Sequence, residues 1–467
     1  MPGYLLSPPL KKHDLELIEK NFRPISNLIF LSKLIERCAA EQMNNHMMTE
    51  GLYELVQSAY RKDHSCETAL LRLENDVCIA MENRLLFMLL LLDLSAAFDT
   101  VDYAVLLTRL HDRLGITGTA LKWFESYLCN RKQRVKVHNS ISDPVELTCG
   151  VPQGSVLGPL LFTVYTLPLG DLIRGMGFDL LIYADDTQLY ISFRPIPSQI
   201  SLAIDRSADC VSTIKTWMAD NFLKCNEDKT DFTIFGTRQL LTKLPPGLCL
   251  PFGDPEPITL NPAVKNLGVT FDQSLTFKQH ITGVCKSSYF QLHNLRCIRK
   301  YLDPDASALA VHAFVTSKLD CCNSLYYGIA DNQIKRLQCI QNTAAKLLSG
   351  AKKFDHVTPI LKELHWLPVR FRIMYKFLTL TYKAIEGSSP VYLATLIDVY
   401  VPPARLRSAD DRHLLYEPLS RKKCGSRAFQ NAAPQLWNSL PLEIRSCPSL
   451  SLFKAALKTH FFTMAFQ

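Results

Sequence analysis

The chain has 467 residues, 47% apolar and 21% charged, which is room for about three domains with sizeable cores and too apolar for wholesale disorder. Its 19 glycines and 26 prolines are under a tenth of the total, which excludes collagen-like and low-complexity classes. The net charge is +8, and residues 331–467 alone hold twenty Lys/Arg against nine Asp/Glu, so the basic excess sits in the last third and points to a polyanionic partner such as nucleic acid.

Fifteen cysteines are scattered without paired metal-ligand spacing. This speaks against a zinc site or a disulfide scaffold and for a reducing compartment, nucleus and cytoplasm. The longest apolar run, Leu85 to Leu92, is eight residues, a buried strand rather than a membrane span. The N-terminus lacks the basic and apolar regions of a signal peptide. The expectation is an intracellular protein with no membrane partner.

In chain order, Asn21-Phe-Arg-Pro-Ile-Ser26 reads as a turn, since the residue before Pro24 avoids helix. A helix follows, with Leu31, Leu34, Ile35 and Cys38 on one face, and another spans 67–82. The strand Leu86–Leu92 ends at Asp93. Gly- and Pro-rich residues 148–159 form a loop opening a helix. Leu180 to Tyr190 is a tight hairpin carrying Ala184-Asp185-Asp186. Ile200, Ile204, Val211, Ile214 and Met218 mark a long amphipathic helix. A turn at 226–230 leads into a strand over 231–235. Beyond Val269 the texture is helical. One stripe is Ile281, Val284, Tyr289, Leu292 and Leu295, beside the cations Lys278, Lys286, Arg296, Arg299 and Lys300. A second runs from Ile334 through Leu337, Ile340 and Ala344 to Leu348. Pro402-Pro403 marks a break, and a short amphipathic helix around 453–461 closes the chain.

Carboxylates at the ends of buried strands are costly unless a cation balances them. If the two strand ends lie side by side, Asp93 and Asp185 come together, and Mg²⁺ suits such a site because it takes carboxylate and phosphate oxygens. Two such ions about 3.5–4 Å apart serve in-line phosphoryl transfer. Any one of these aspartates alone would more often be a turn or cap residue; the combination with the Gly/Pro loop is harder to reach by chance.

The order and spacing of these segments resemble the reverse transcriptase of non-LTR (LINE-type) retrotransposons. Leu91-Leu-Asp-Leu-Ser-Ala-Ala-Phe-Asp99 is similar to the family's first catalytic box. Gly150-Val-Pro-Gln-Gly-Ser-Val-Leu-Gly-Pro159 is similar to its template-and-nucleotide loop, and Tyr183-Ala-Asp-Asp186 to its second catalytic box. Asn226 to Thr230 resembles the lysine box, Asn266-Leu-Gly-Val269 the primer-grip hairpin, and Asn21–Ser26 and Gln57-Ser-Ala-Tyr-Arg61 the two fingers boxes. The segments LHWLPVRFRIMYKFLTLTYKA and GSRAFQNAAPQLWNSLPLEIR resemble the C-terminal part of one branch of these elements, without a physical account of its role.

The resemblance implies an α+β right-hand polymerase. Fingers and palm would occupy 1–275, a helical thumb 276–350, and a mostly helical basic region 351–467. It implies that Asp93 and Asp185 hold two Mg²⁺ ions, with Mn²⁺ as a substitute, that Asp186 supports them, and that Leu94 offers a backbone carbonyl. Phe98 would lie under the sugar of an incoming dNTP, Gln153 and Gly154 would line the nucleotide and template pocket, Arg23 and Arg61 would grip the triphosphate, and Lys229 would face the departing pyrophosphate. The cations from Lys278 to Lys300 would track an RNA template and its DNA primer.

Three other readings stay open: a silent or domesticated fragment that only binds nucleic acid, an RNA-dependent RNA polymerase, and a mobile-intron or telomerase-type enzyme. The residues at Phe98 and Ala184 speak against the second, and the C-terminal segments against the third. Pro168 departs from the family's pattern, the outer fingers are short, and neither endonuclease nor RNase H boxes are visible.

Overall fold

The computed structural model describes residues 4–7, 25–95, 97–137, 139–251, 257–400, 414–420 and 422–467. Arg23 and the Pro402-Pro403 break lie outside the described residues.

The elements that position the site are, in order, α1 (Phe30–Thr49), α2 (Cys66–Glu82), β1 (Leu86–Leu92), α3 (Gly158–Gly175), β2 (Asp179–Tyr183), β3 (Asp186–Phe193), α4 (Pro197–Asp220), β4 (Asp231–Phe235), β5 (Ala263–Asn266), β6 (Val269–Asp272), α5 (Lys278–Ile298), α6 (Pro304–Val311), α7 (Asp331–Ser349), α8 (Thr358–Glu363), α9 (Val369–Ile385), α10 (Phe429–Asn438) and α11 (Leu450–Phe466). The central sheet is antiparallel, in the order β4-β1-β3-β2. A smaller outer sheet joins residues 4–7 and 25–27 to a hairpin over 131–147.

β1 is uniformly apolar because both faces of the sheet are covered. Phe87 and Leu89 enter a core shared with α2, while Met88, Leu90 and Leu92 enter a second core with α3 and α4. α2 starts at a capping box, in which the Thr68 N–H donates to Ser65 Oγ (3.1 Å) and the Ser65 N–H to Thr68 Oγ1 (2.9 Å). α3 begins with Pro159 in its first turn and runs through Pro168 to Gly175.

Two readings of helix faces are corrected. On α1 the residues turned inward are Ser32, Glu36, Ala40, Met43 and Met47, while Leu31 is 60% exposed and Leu34, Ile35 and Cys38 also face outward. The reason is a polar anchor: the buried Glu36 carboxylate accepts the Val156 N–H at 2.6 Å and the Ser32 hydroxyl at 3.3 Å, and this fixes the helix's rotation. On α5 the buried stripe is Ile281, Cys285, Ser288, Leu292 and Leu295; Tyr289 is exposed. The stripes on α4 and α7 are found as the periodicity indicates.

Helices α5 to α11 do not form separate cores. Leu292 and Leu295 of α5, Leu337 of α7, Phe377 of α9, Trp437 of α10 and Phe453 of α11 belong to one cluster that also takes in Leu70, Leu73 and Val77 of α2. Arg427 seals this junction, donating to Glu74 Oε1 (2.8 Å) and to the Leu275 carbonyl (2.9 Å).

Candidate active site

The antiparallel register pairs Leu92 of β1 with Thr187 of β3, which sets Asp93 and Asp186 across from each other at the strand ends. β2 and β3 are joined by the two-residue turn Ala184-Asp185, closed by the Tyr183–Asp186 pair. Ala184 sits at φ +60°, a left-handed conformation unfavourable for a residue with a Cβ. Surrounding contacts hold it there. The Ala184 N–H donates to Oε1 of buried Gln57 (3.2 Å), which also accepts the Ala59 N–H (3.1 Å). Residues 56–58 run along β2 and exchange backbone bonds with Ile182, Ser58 N–H to Ile182 O (2.9 Å) and Ile182 N–H to Val56 O (3.2 Å). Gln57 thus shapes the turn that carries Asp185, a role sequence reasoning missed although it singled out the segment.

Asp93 Oδ2 accepts from Lys229 Nζ at 2.8 Å and Asn226 Nδ2 at 3.0 Å, and its carbonyl accepts the Asn226 N–H at 2.8 Å. Lys229 is 65% exposed, so this pair is worth little as stabilisation; its interest is charge. Asp186 is pushed up to about 6 by burial first, then by the Asp185 and Asp93 carboxylates, against the pull of Lys229. Burial and Asp185 also raise the Tyr60 hydroxyl. Leu94, next along the chain, pairs with Cys225 in a two-residue ladder. Asp93, Asp186 and Lys229 line a cleft of about 190 Å³ with Lys265, Asn266 and Leu267. The last three belong to the β5–β6 hairpin, which is fastened to the sheet by a reciprocal amide pair between Asn266 and Gln188 (2.9 and 2.8 Å). No pattern in the sequence marks that pair.

The Gly/Pro loop is zipped against the first box. The Gly150 N–H donates to Val101 O and the Val151 N–H to Phe98 O, both 2.8 Å. Gly150 has φ +86°, and a Cβ there would lie 2.8 Å from the Asp99 carbonyl, so the approach requires glycine. Gln153 Nε2 donates to both Asp99 carboxylate oxygens at 3.0 Å. Gly154, at φ +102°, faces the Ser26 carbonyl. Gln153 and Asp99 line a cleft of about 330 Å³ with Ser26 and residues 146–152. Phe98 is half-buried and packs on Phe162 with ring centroids 4.8 Å apart.

Other expected site residues lie elsewhere or are otherwise engaged. Arg61 stacks on Tyr53 (4.4 Å) and donates Nη1–H to the Glu54 and Gln57 carbonyls (2.9 and 3.0 Å), bracing the Gln57 segment. Lys278, Lys286, Arg296 and Lys300 are exposed on α5 and the turn after it. Arg299 instead donates to the Leu348 carbonyl at 2.9 Å, capping the end of α7. Among the described residues no three His, Cys, Asp or Glu side chains are gathered closely enough to hold a metal ion. No described helix is long and apolar enough to cross a membrane.

Residues 10–271 match the family of reverse transcriptases (RNA-dependent DNA polymerases), more than half of the chain, and the protein belongs to that family. Among curated relatives, it is 28% identical over 408 residues to the probable RNA-directed DNA polymerase from transposon X-element of Drosophila melanogaster, covering 86% of this chain and 43% of the relative. It is 26% identical over 355 residues to the RNA-directed DNA polymerase from mobile element jockey of the same organism, covering 74% and 37%. The chain thus spans less than half the length of these relatives. They agree with the LINE-type resemblance of the boxes, and the α+β architecture is that of a right-hand polymerase. Among solved structures, telomerase from Candida albicans in complex with a telomeric RNA fragment aligns over 80% of this chain and 62% of its own, with 12% identity and a TM-score of 0.40. Telomerase from Candida tropicalis with a telomeric RNA fragment covers 80% and 61%, with 11% identity and a TM-score of 0.42.

Proposed function

We propose that this chain is the RNA-directed DNA polymerase of a non-LTR retrotransposon, with fingers and palm in 1–275 and a thumb in 276–350, extending a DNA primer on an RNA template from dNTPs. The observation that carries this reading is the register that sets Asp93, at the end of β1, across from Asp186, with Asp185 beside it in the β2–β3 turn, next to the β5–β6 hairpin.

The donors are hard oxygens, the type a divalent cation takes, and the three carboxylates would have to close up on the ion to share it. Burial first, then the Asp185 and Asp93 carboxylates, raise Asp186 to about 6, and Asp93 already holds a cation, Lys229. Asp93 and Asp185 would be the principal ligands, with Asp186 and the Leu94 carbonyl in support. When bound, Mg²⁺ or Mn²⁺ supplies charge neutralisation for phosphoryl transfer. The chain's own residues do the rest. Gln57 fixes the turn, so the carboxylates are placed before substrate arrives. Lys229, on an exposed stem, can leave Asp93 and carry its charge to the departing pyrophosphate, as a counter-ion or general acid. Phe98, backed by Phe162, presents a ring edge to the nucleotide sugar. Gln153 is held by Asp99 at the wall of the neighbouring cleft. Arg61 acts through the Gln57 segment. Fifteen unpaired cysteines suit nucleus and cytoplasm.

The test is primer extension on a generic RNA template with dNTPs and Mg²⁺. Asp185→Asn, a near-isosteric change at a half-buried turn, should leave the fold intact and cut extension by on the order of a thousandfold or more. Residual activity within about tenfold of the parent would take Asp185 out of the reaction, and a parent that binds primer–template without extending it would favour the nucleic-acid-binding fragment.

A further inference from the structure

A cleft of about 800 Å³ lies between the start of α2, the turn before α9, and helices α9 and α11. None of its lining residues belongs to the catalytic boxes. α9 turns one ridge into it, Arg372, Tyr375, Lys376, Thr379 and Lys383, spaced as one face of a helix. From first to last that ridge is about 16 Å long at 1.5 Å per residue.

Its charge is positive. Arg372 is matched by Asp320 (2.9 Å from Nε), Lys376 by Glu67 (3.1 Å) and Lys383 by Asp63 (3.4 Å). Lys454 and Lys458, one turn apart on α11, enter the same cleft and have no ion-pair partner among the described residues.

Two departures from regular backbone fall at its edge. His365 lies at φ +53°, and a non-glycine residue held there commonly marks a functional site. His312 opens a π-helical turn, His312–Thr316, directly after α6, a device also concentrated at such sites. The exposed His312 ring meets the buried Trp366 edge-on at 5.4 Å, so the cleft has an aromatic side formed by His312 and His365, with Trp366 behind it. On its floor, the Oδ1 of Asn323, a side chain 3% exposed, accepts no hydrogen bond among the described residues.

We infer that this cleft binds a single strand of nucleic acid, with phosphates along the α9 and α11 cations and unpaired bases against the exposed rings of His312 and His365. A single phosphate group would use only one end of a 16 Å ridge, whereas a phosphodiester strand uses its length. The rings favour unpaired bases, whose faces are free to stack. Asn323 Oδ1 offers an acceptor for a base or sugar donor.

The experiment measures anisotropy of a fluorescein-labelled oligouridine of about 12 nucleotides, with the palm saturated by an unlabelled hairpin primer–template. Lys454→Glu with Lys458→Glu changes two surface positions outside the polymerase machinery. The double variant should bind the oligouridine at least about tenfold more weakly at about 100 mM salt, and the salt slope should flatten by about 1.4, near 0.7 per lost contact to a single strand. Extension of the hairpin should be unchanged. An unaltered affinity and slope would overturn the proposal. So would displacement of the label by polyglutamate as effectively as by unlabelled oligouridine, which would make this an acidic-peptide site. Failure of the parent to extend the hairpin tests the polymerase reading alone and leaves this binding result standing.

Discussion

Asp186 ties the electrostatics of the site to its pH behaviour. Its folded pKa, about 6, stands above the ordinary 3.8, so folding favours the protonated form. That contribution is fully present below about pH 4 and is lost as pH rises through about 6. The metal-free protein should therefore lose thermal stability across this window. Asp186→Asn should remove the step and melt higher than the parent at pH 7. Parallel melting curves for the two proteins between pH 4 and 7 would show that Asp186 does not feel its neighbours. Phe98 makes a second residue-scale prediction. Its ring is half-buried on Phe162, so its free edge limits what fits beside it. Phe98→Val should raise the ratio of kcat/KM for GTP to that for dGTP by roughly tenfold or more, about 1.4 kcal/mol of discrimination. An unmoved ratio would make Phe98 a core residue only.

At the scale of elements, α5 separates two kinds of basic residue that look alike in sequence. Lys278, Lys286 and Arg296 are exposed, while Arg299 is spent on the Leu348 carbonyl. Neutralising the first three should weaken primer–template binding without sequence preference and flatten its salt slope by roughly 0.7–0.9 per contact. Arg299→Ala should instead lower the melting temperature. An unchanged slope in the triple variant would return the α5 face to ordinary solvated surface. The same contrast explains what was legible in the sequence. β1, the Asp185-Asp186 turn and the Gly150 loop could be read because strand burial, carboxylate chemistry and close backbone approach each demand particular residue types in a fixed order. The inward face of α1 could not, because one tertiary contact, Glu36 to the Val156 N–H, outweighs the apolar periodicity of Leu31, Leu34 and Ile35. Gln57 and the Asn266–Gln188 pair were equally hidden, since an amide that closes a buried hydrogen bond has no periodic signature.

At the scale of the whole molecule, α2 is the hub. One side meets the central sheet; the other meets helices α5 to α11. The Arg427–Glu74 pair lies inside that junction. Burial pushes Glu74 up to about 7 despite the guanidinium beside it, so this pair offsets a desolvation cost rather than adding a large surplus. Removing one partner leaves the cost uncovered: Arg427→Ala should destabilise the fold by about 3–5 kcal/mol, whereas replacing both with apolar residues of similar volume should recover much of it. Chemical unfolding of the single and double variants checks this, and a loss under about 1 kcal/mol in the single variant would mean that the pair is solvated.

The hub also fixes an order of events during synthesis. Arg72 donates to the carbonyl of Tyr392, and Asn75 to the side chain of Gln430, 355 positions further on. At about 5–20 residues per second, a ribosome needs roughly 20–70 s to make the intervening chain. Until then α2 lacks its contacts to Tyr392 and Gln430. The central sheet therefore acquires its backing by Tyr392 and Gln430 only after those residues have left the ribosome.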